Sequence, residues 1–263
     1  FERSGLLGPA RWLVTLSGDL YSVHRFTVPL NDPKKVRQTL EFELENELPF
    51  RTDEVVVSSD IRRVEDGCEV VAAAARTDLI SGLLDALKAR GVDVAQIAPS
   101  SFGLVDETVR SQGRCLVVDV GAQASDIIAL DDGRFVGSFR VDEGGDSVNI
   151  ALAKSHFLAS DEAERAKREG ASDPQAQEAL VPAIDALARQ IARGLRGSLR
   201  NLNWSDPLVV VGGGGAGLAG LDEALERDLG LRVELRAEGG DPMRPERGAI
   251  NQLIAGRPFL PVN

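Results

Sequence analysis

An α/β fold with mixed sheets flanked by helices is what the 263-residue sequence predicts, and three observations predict it. Runs rich in Val, Ile, Thr and aromatics alternate with stretches of helical periodicity along the whole chain. Cys115–Val120 is apolar at nearly every position, as a strand buried on both faces must be. Short Gly-containing turns at Glu65-Asp66-Gly67 and Asp131-Asp132-Gly133 join pairs of such runs, so hairpins accompany the parallel connections.

In the first half, 12–16 and 21–30 read as two strands split by the tight turn Ser17-Gly18-Asp19. Asn31 or Asp32 caps a helix that Pro33 opens, along which Val36, Leu40, Leu44 and Leu48 make one apolar face, and Pro49 stops it. Glu41, Glu43, Glu45 and Glu47 load the opposite side, with Glu41 and Glu45 a mutually repelling pair at helical spacing. Strands follow over 55–64 and 69–75. A helix from Asp78 to Arg90 carries Leu79, Leu83, Leu84 and Leu87 and ends at Gly91. An extended segment, 92–99, leads to a further helix over 99–110, and Gln112-Gly113 forms the seam between two halves.

The second half opens with the buried strand 115–120 and the hairpin 125–130 with 134–141. Glu143-Gly144-Gly145-Asp146 then leads into a helix carrying Val148, Leu152 and Phe157. Ser160 caps a polar helix to Gly170, and 171–177 is a loose connection. The long helix 182–203 has one stripe of Ile184, Leu187, Ile191, Leu195 and Leu199 and a second of Arg189, Arg193, Arg196 and Arg200. Strand 208–211 runs into Gly212–Gly215, then come a helix over 221–229, a strand over 232–235, and a closing helix within 247–255.

Bulk properties exclude several function classes. With 30 basic and 41 acidic side chains, a net charge of -11 repels a phosphate backbone, so nucleic acid is not an expected partner. Cys68 and Cys115 lie in apolar runs and read as small core residues, without a disulfide. Together with His24 and His156 they give neither metal-ligand spacing nor a nucleophile–base pair. No matched acid and base appear, so the chain is not expected to be an enzyme. It begins with Phe1 rather than Met, so sequence is expected upstream.

Two strand-to-loop junctions carry the remaining signal. Asp119-Val120-Gly121 and Gly212-Gly213-Gly214-Gly215 both let backbone amides approach a ligand, although turn geometry alone also calls for glycine there. No lysine follows Gly215 as a P-loop requires, and no βαβ unit with an acidic ribose partner follows Gly212.

Their order is more specific than either alone: strand, Asp-x-Gly, hairpin, Gly-Gly before a helix, two helices, strand, glycine run, helix. In this order, 115–153 resembles the second-phosphate segment of the actin-like PilM and GspL family, and 209–225, with Gly220-Leu221, resembles its adenosine segment. Asp161-Glu162-Ala163-Glu164-Arg165-Ala166-Lys167-Arg168 is similar to that family's Glu-Glu-Ala-Glu helix. The stretch from Leu16 to Phe50, ending Phe42-Glu43-Leu44-Glu45-Asn46-Glu47-Leu48-Pro49-Phe50, is similar to the segment these proteins insert beside their first domain. Ser17-Gly18-Asp19, Pro29-Leu30 and the 251–258 tail look closer to the cytoplasmic domain of type II secretion protein L (GspL) than to PilM.

The resemblance implies a two-lobed, ribonuclease H-like actin fold whose lobes face each other across a cleft. The first lobe is 1–112, with an inserted subdomain over about 30–75 and its opening hairpin lying upstream. The second is 113–263, with a helical subdomain over about 155–205 and the helix 247–255 returning to the first lobe. It further implies a vestigial or weak nucleotide cleft at Asp119, Gly121, Gln123, Gly144, Gly145, Gly212, Gly213 and Gly214. ATP with magnesium is the ligand such a cleft takes. Because Gln123, Ala124 and Ser125 replace the small hydroxyl lining of ATP-binding relatives, no cofactor is expected.

The implied role is a scaffold on the cytoplasmic side of the bacterial inner membrane, recruiting a GspE-like secretion ATPase and linking it to a GspM-like platform protein. Glu41, Glu45, Arg193 and Arg196 are the candidate partner-binding residues, membrane attachment is through a segment outside this chain, and a homodimer is compatible with the role. The alternative is a PilM-like ATP-binding protein of type IV pilus assembly. A sugar kinase ranks third, for want of a catalytic aspartate with a sugar pocket.

Overall fold

A computed structural model of the chain describes residues 11–45, 47–48, 50–169, 174–238 and 241–242. They fall into two compact units, one ending at Gly103 and the other beginning at Leu104.

In the first unit, β1 (Arg11–Leu16) and β2 (Tyr21–Val28) flank the expected turn, closed by the Leu20 amide on the Ser17 carbonyl at 2.9 Å. They are not paired with each other. β1 runs parallel to β5 (Asp93–Pro99), whereas β2 joins β3 (Val55–Val64) and β4 (Gly67–Arg76) in a three-stranded antiparallel sheet of order β2-β4-β3. The turn thus passes the chain from one sheet to another. The β3–β4 turn needs Gly67, whose φ is +141° and whose added Cβ would lie 2.2 Å from the Val28 carbonyl oxygen.

Helix α1 (Pro33–Glu45) starts as predicted, with Asp32 Oδ1 accepting the Lys34 amide at 3.0 Å. Val36, Leu40 and Leu44 are buried against Val28, Cys68, Val70 and Ala72 of the sheet, and Leu48 packs on the same cluster. Helix α2 (Thr77–Lys88) ends in a turn where Gly91 takes φ +71°. Its Leu79, Leu83 and Leu87 are half-buried and Leu84 is exposed.

Instead of the single helix expected over 99–110, a 3-10 turn (Ser101–Leu104) and a short helix α3 (Glu107–Arg110) form. Asp106 causes the break: its Oδ1 accepts the Val109 amide at 3.0 Å and caps a new helix. Asp106 also pairs with Arg236, and the Asp132 amide bonds the Gly113 carbonyl at 3.2 Å. The expected seam at Gln112-Gly113 accordingly lies inside the second unit.

The second unit is built on a five-stranded mixed sheet of order β10-β9-β6-β7-β8. Its strands are β6 (Cys115–Val120), β7 (Ser125–Asp131), β8 (Arg134–Val141), β9 (Leu208–Gly212) and β10 (Val233–Leu235). Every residue of β6 is buried, because β7 and β9 flank it and helices cover it. Asp132 and Gly133 both take positive φ, the conformation a tight two-residue hairpin demands.

The helices are α4 (Gly145–His156), α5 (Ser160–Glu169), α6 (Pro174–Leu202) and α7 (Leu221–Leu229). Leu187, Ile191 and Leu195 of α6 join Val118, Val209 and Leu225 in one core. Three expectations change. Phe157 does not continue α4 but closes it in a left-handed conformation with its side chain exposed. Ser160 lies inside the first turn of α5, where Glu162 Oε2 reaches back to the Ala159 amide at 2.9 Å. α6 starts at Pro174 rather than at 182, leaving Pro182 inside the helix. Pro174 suits a first helical position, so helix replaces the later part of the connection expected over 171–177.

Both cysteines are buried and unpaired, and burial pushes the Cys115 thiol up to about 12. The expected helix within 247–255, the tail after it, and Asn46 and Pro49 lie outside the described residues. Among the described residues, no helix is long and apolar enough to cross a membrane.

Candidate functional site

The Asp-x-Gly turn and the glycine run meet because β6 and β9 are parallel neighbours with Asp119 in register with Gly212. After β6 the chain turns to β7 on one side, and after β9 it goes through α7 to β10 on the other. Loops that diverge at the ends of adjacent parallel strands leave a crevice between them. Here the crevice is a cavity of about 460 Å3 lined by Gly121, Ala122, Gly145, Gly214 and Gly215, with Lys167 beside them.

Glycine is required where these loops touch. Gly213 has φ +86°, and a Cβ there would lie 2.3 Å from Asp119 Oδ1. At Gly144 a Cβ would lie 2.5 Å from the Ala122 carbonyl oxygen. The contact closes the loop onto α4: the Gly145 amide donates to the Gly121 carbonyl at 3.0 Å, and the Asp146 amide to the Ala122 carbonyl at 2.7 Å. Two of the donors that a helix start otherwise offers to an anion are thereby used within the chain.

Of the residues expected in the cleft, Gly121, Gly145 and Gly214 line the cavity. Asp119 is buried under Gly213, Gly144 packs beneath the loop, and Gly212 is the last residue of β9. Gln123 is exposed and outside the lining, so it does not substitute for a small polar residue there. Ser125 is fully buried, lies outside the lining and donates its hydroxyl to the Glu143 carbonyl at 2.8 Å.

Sequence reasoning missed the charged wall. Glu164, Lys167 and Arg168 of α5 line the cavity, a placement that the family likeness of their helix does not state. Lys167 Nζ sits 2.7 Å from Glu164 Oε2 and donates to the Gly145 carbonyl at 3.2 Å. Arg168 Nε donates to Glu164 Oε1 and Asn149 Nδ2 to Glu164 Oε2, each at 2.7 Å. Hydrogen bonds from Lys167, Arg168 and Asn149 hold the Glu164 carboxyl down at about 2. The readable signal was the acid followed by cations three and four residues on, a spacing that brings side chains together on one helix face.

A second concavity, also missed, lies within the first unit. It holds about 570 Å3, with Leu20, Tyr21, Leu48, Phe50, Val55 and Leu79 along it and Asp19, Arg76 and Asp78 at its charged positions. Ala74 and Ala75 of β4 line it, and their small side chains leave the space open. The Arg76 guanidinium stands 5.7 Å from the centre of the Phe50 ring and is ion-paired with Asp78. Phe50 is 42% exposed, unusual for an aromatic with an apolar surface beside it.

The expected partner-binding residues are all on the surface. Glu41 and Glu45 are exposed on α1 with Phe42, which is 72% exposed. The four-glutamate face is narrower than expected: Glu43 is half-buried, and Glu47 lies past the helix, 4.0 Å from His24 Nδ1. Arg189, Arg193, Arg196 and Arg200 are exposed along α6. Among the described residues, no group of three His, Cys, Asp or Glu side chains is placed to hold a metal ion.

Comparison with known proteins places this geometry. Among solved structures, the chain is similar to one described as a PilM–PilN type IV pilus biogenesis complex, at 24% identity and a TM-score of 0.71, covering 90% of this chain and 70% of that one. The MamK double helical filament is matched at 17% identity and a TM-score of 0.50, over 66% of this chain and 64% of that one. The cytoplasmic domain of EpsL, an inner-membrane component of the Vibrio cholerae type II secretion system, is matched at 14% identity and a TM-score of 0.44, over 60% of each chain. The first two likenesses identify the fold as actin-like. A family described as type IV pilus assembly protein PilM matches residues 26–248. Since that match spans most of the sequence, the chain belongs to the type IV pilus assembly protein PilM family.

Proposed function

We propose that the chain is a non-catalytic docking platform on the cytoplasmic side of the inner membrane. In this reading it takes a short apolar segment of a membrane-anchored partner into the groove of its first unit and recruits the assembly ATPase of the same machine. One observation carries the reading: an open groove of about 570 Å3 with a half-exposed phenyl ring, in a family whose solved relative is described as a complex with PilN. Apolar side chains entering such a groove supply affinity, and Asp19, Arg76 and Asp78 fix the register of the entering strand or turn. Phe50 is the expected anchor. Truncating a central aromatic anchor usually costs about 2 kcal/mol or more, over tenfold in affinity.

Calorimetric titration with the cytoplasmic segment of a PilN-like protein tests this. Binding is expected, and Phe50→Ala or Leu20→Asp is expected to weaken it at least tenfold while circular dichroism stays unchanged. Absence of binding to the unaltered chain overturns the reading. The family match favours the pilus machine, whereas the Ser17-Gly18-Asp19 turn and Pro29-Leu30 favoured secretion. Parallel capture with PilN-like and GspM-like segments separates the two.

A second reading, a scaffold that also holds a nucleotide, is favoured by the cavity at the β6 and β9 loops. Its residues fit a nucleoside phosphate in kind: Lys167 and Arg168 supply positive charge, and the turns at Gly121 and Gly214 supply close backbone approach. When bound, the group supplies negative charge that these residues neutralise. Glu164, hydrogen-bonded and ionised, orients the two cations. Titration with magnesium-ATP and with ADP decides, with binding lost in Lys167→Ala expected for this reading.

A further inference from the structure

Two exposed ladders of opposite charge remain outside the groove and the cavity. On α1, Glu41 and Glu45 stand one helical turn apart with Phe42 exposed between them; among the described residues neither forms a close ion pair, and only Arg51 acts on Glu45 through space. On α6, Arg189, Arg193, Arg196 and Arg200 are exposed, and among the described residues none of the four has an acidic side-chain partner. Arg196 alone is engaged, donating to the Asp228 backbone carbonyl. Each ladder repels itself and is relieved by the opposite charge.

The ladders are complementary in detail. Glu41 to Glu45 and Arg189 to Arg193 both span four residues of α-helix, a rise of about 6 Å, so the charges match in pitch. A guanidinium binds carboxylate oxygens through its planar fork and stacks on an aromatic face, and Phe42 offers that face between two carboxylates. In a chain of net charge -11, a four-arginine ladder is a local exception that long-range repulsion does not explain.

We propose that the chain binds a second copy of itself head to tail, the Glu41–Phe42–Glu45 face of one copy against the Arg189–Arg193 face of the next. The two patches differ, so the contact is heterologous: each added copy leaves one free acidic and one free basic face, and assembly proceeds to a ring or an open chain. Exposed charge pairs are individually weak, so the assembly is concentration-dependent and dissolves in salt once the Debye length falls to a few ångströms.

Sedimentation velocity over a concentration series at low salt tests the proposal. The average sedimentation coefficient is expected to rise with concentration and to fall to the monomer value in 0.5 M salt. Glu41→Lys with Glu45→Lys, or Arg189→Glu with Arg193→Glu, is each expected to abolish the rise. In an equimolar mixture of these two variants the intact acidic face of one meets the intact basic face of the other, and the two reversed faces are themselves complementary, so association is expected to return. A monomer at every concentration, or association unchanged in both variants, overturns the proposal. So does loss of ATPase capture in the variants with self-association intact, which would assign the faces to the ATPase instead. PilN-like peptide binding, read at the groove, reports that each variant is folded and keeps this test separate from that of the docking function.

Discussion

At the scale of single residues, backbone conformation and hydrogen bonding make the sharpest demands. Gly67 is held at φ +141° against the Val28 carbonyl, so Gly67→Ala forces both a rare backbone conformation and a clash. A loss of about 1–3 kcal/mol is expected, measured by urea denaturation. The reverse holds at Phe157, which is 95% exposed and left-handed at φ 55°. Phe157→Gly relieves strain without emptying a core site, and a gain of about 1 kcal/mol is expected in the same assay.

Glu164 gives a pH signature. Its folded carboxyl lies at about 2, below the ordinary 4.5 that applies when unfolded. The stability it adds is therefore present above about pH 4.5 and fades as pH falls through about 2. Since the carboxylate is about a third exposed, solvent screening keeps the effect modest. In Glu164→Gln, acid denaturation curves are expected to be flatter between those two pH values; identical slopes would show that the Lys167 and Arg168 contacts add nothing.

At the scale of elements, periodicity was legible where one face meets a core. The Val36, Leu40, Leu44 spacing in α1 and the Leu187, Ile191, Leu195 spacing in α6 both mark the buried sides. Leu187→Ala is expected to cost about 2–5 kcal/mol, because it empties space within the core cluster to which Leu187 belongs, and packed neighbours only partly refill it. Ends and breaks were less legible. The segment 99–110 has no proline inside it to announce its break, which comes from the Asp106 side chain capping α3 and pairing with Arg236, far along the chain. Asp106→Ala is expected to lose about 0.5–2 kcal/mol through the cap, visible as a lower thermal midpoint. At Pro182 the opposite happened: a residue that normally marks a helix start sits inside α6, its lost amide bond being one among many in a 29-residue helix packed along the sheet.

At the scale of the whole molecule, the sequence by itself determined the class, the strand-helix order and the two glycine junctions, because these rest on local steric rules and on hydrophobic period. Gly213 and Gly144 show the strength of that signal, since a Cβ at either would run into its neighbouring loop. Pairing was decided only by tertiary structure. Nothing local in 11–28 states that β1 pairs with β5 while β2 joins β4, because strand partners are chosen by the apolar surface each buries, across tens of residues. The same reason explains the two cavities. Lys167 reaches the Gly145 carbonyl at the edge of the cavity, and Phe50 lines one groove with Leu20 and Leu79, through the packing of elements distant in sequence, so the charged wall and the apolar groove exist only once the chain has folded.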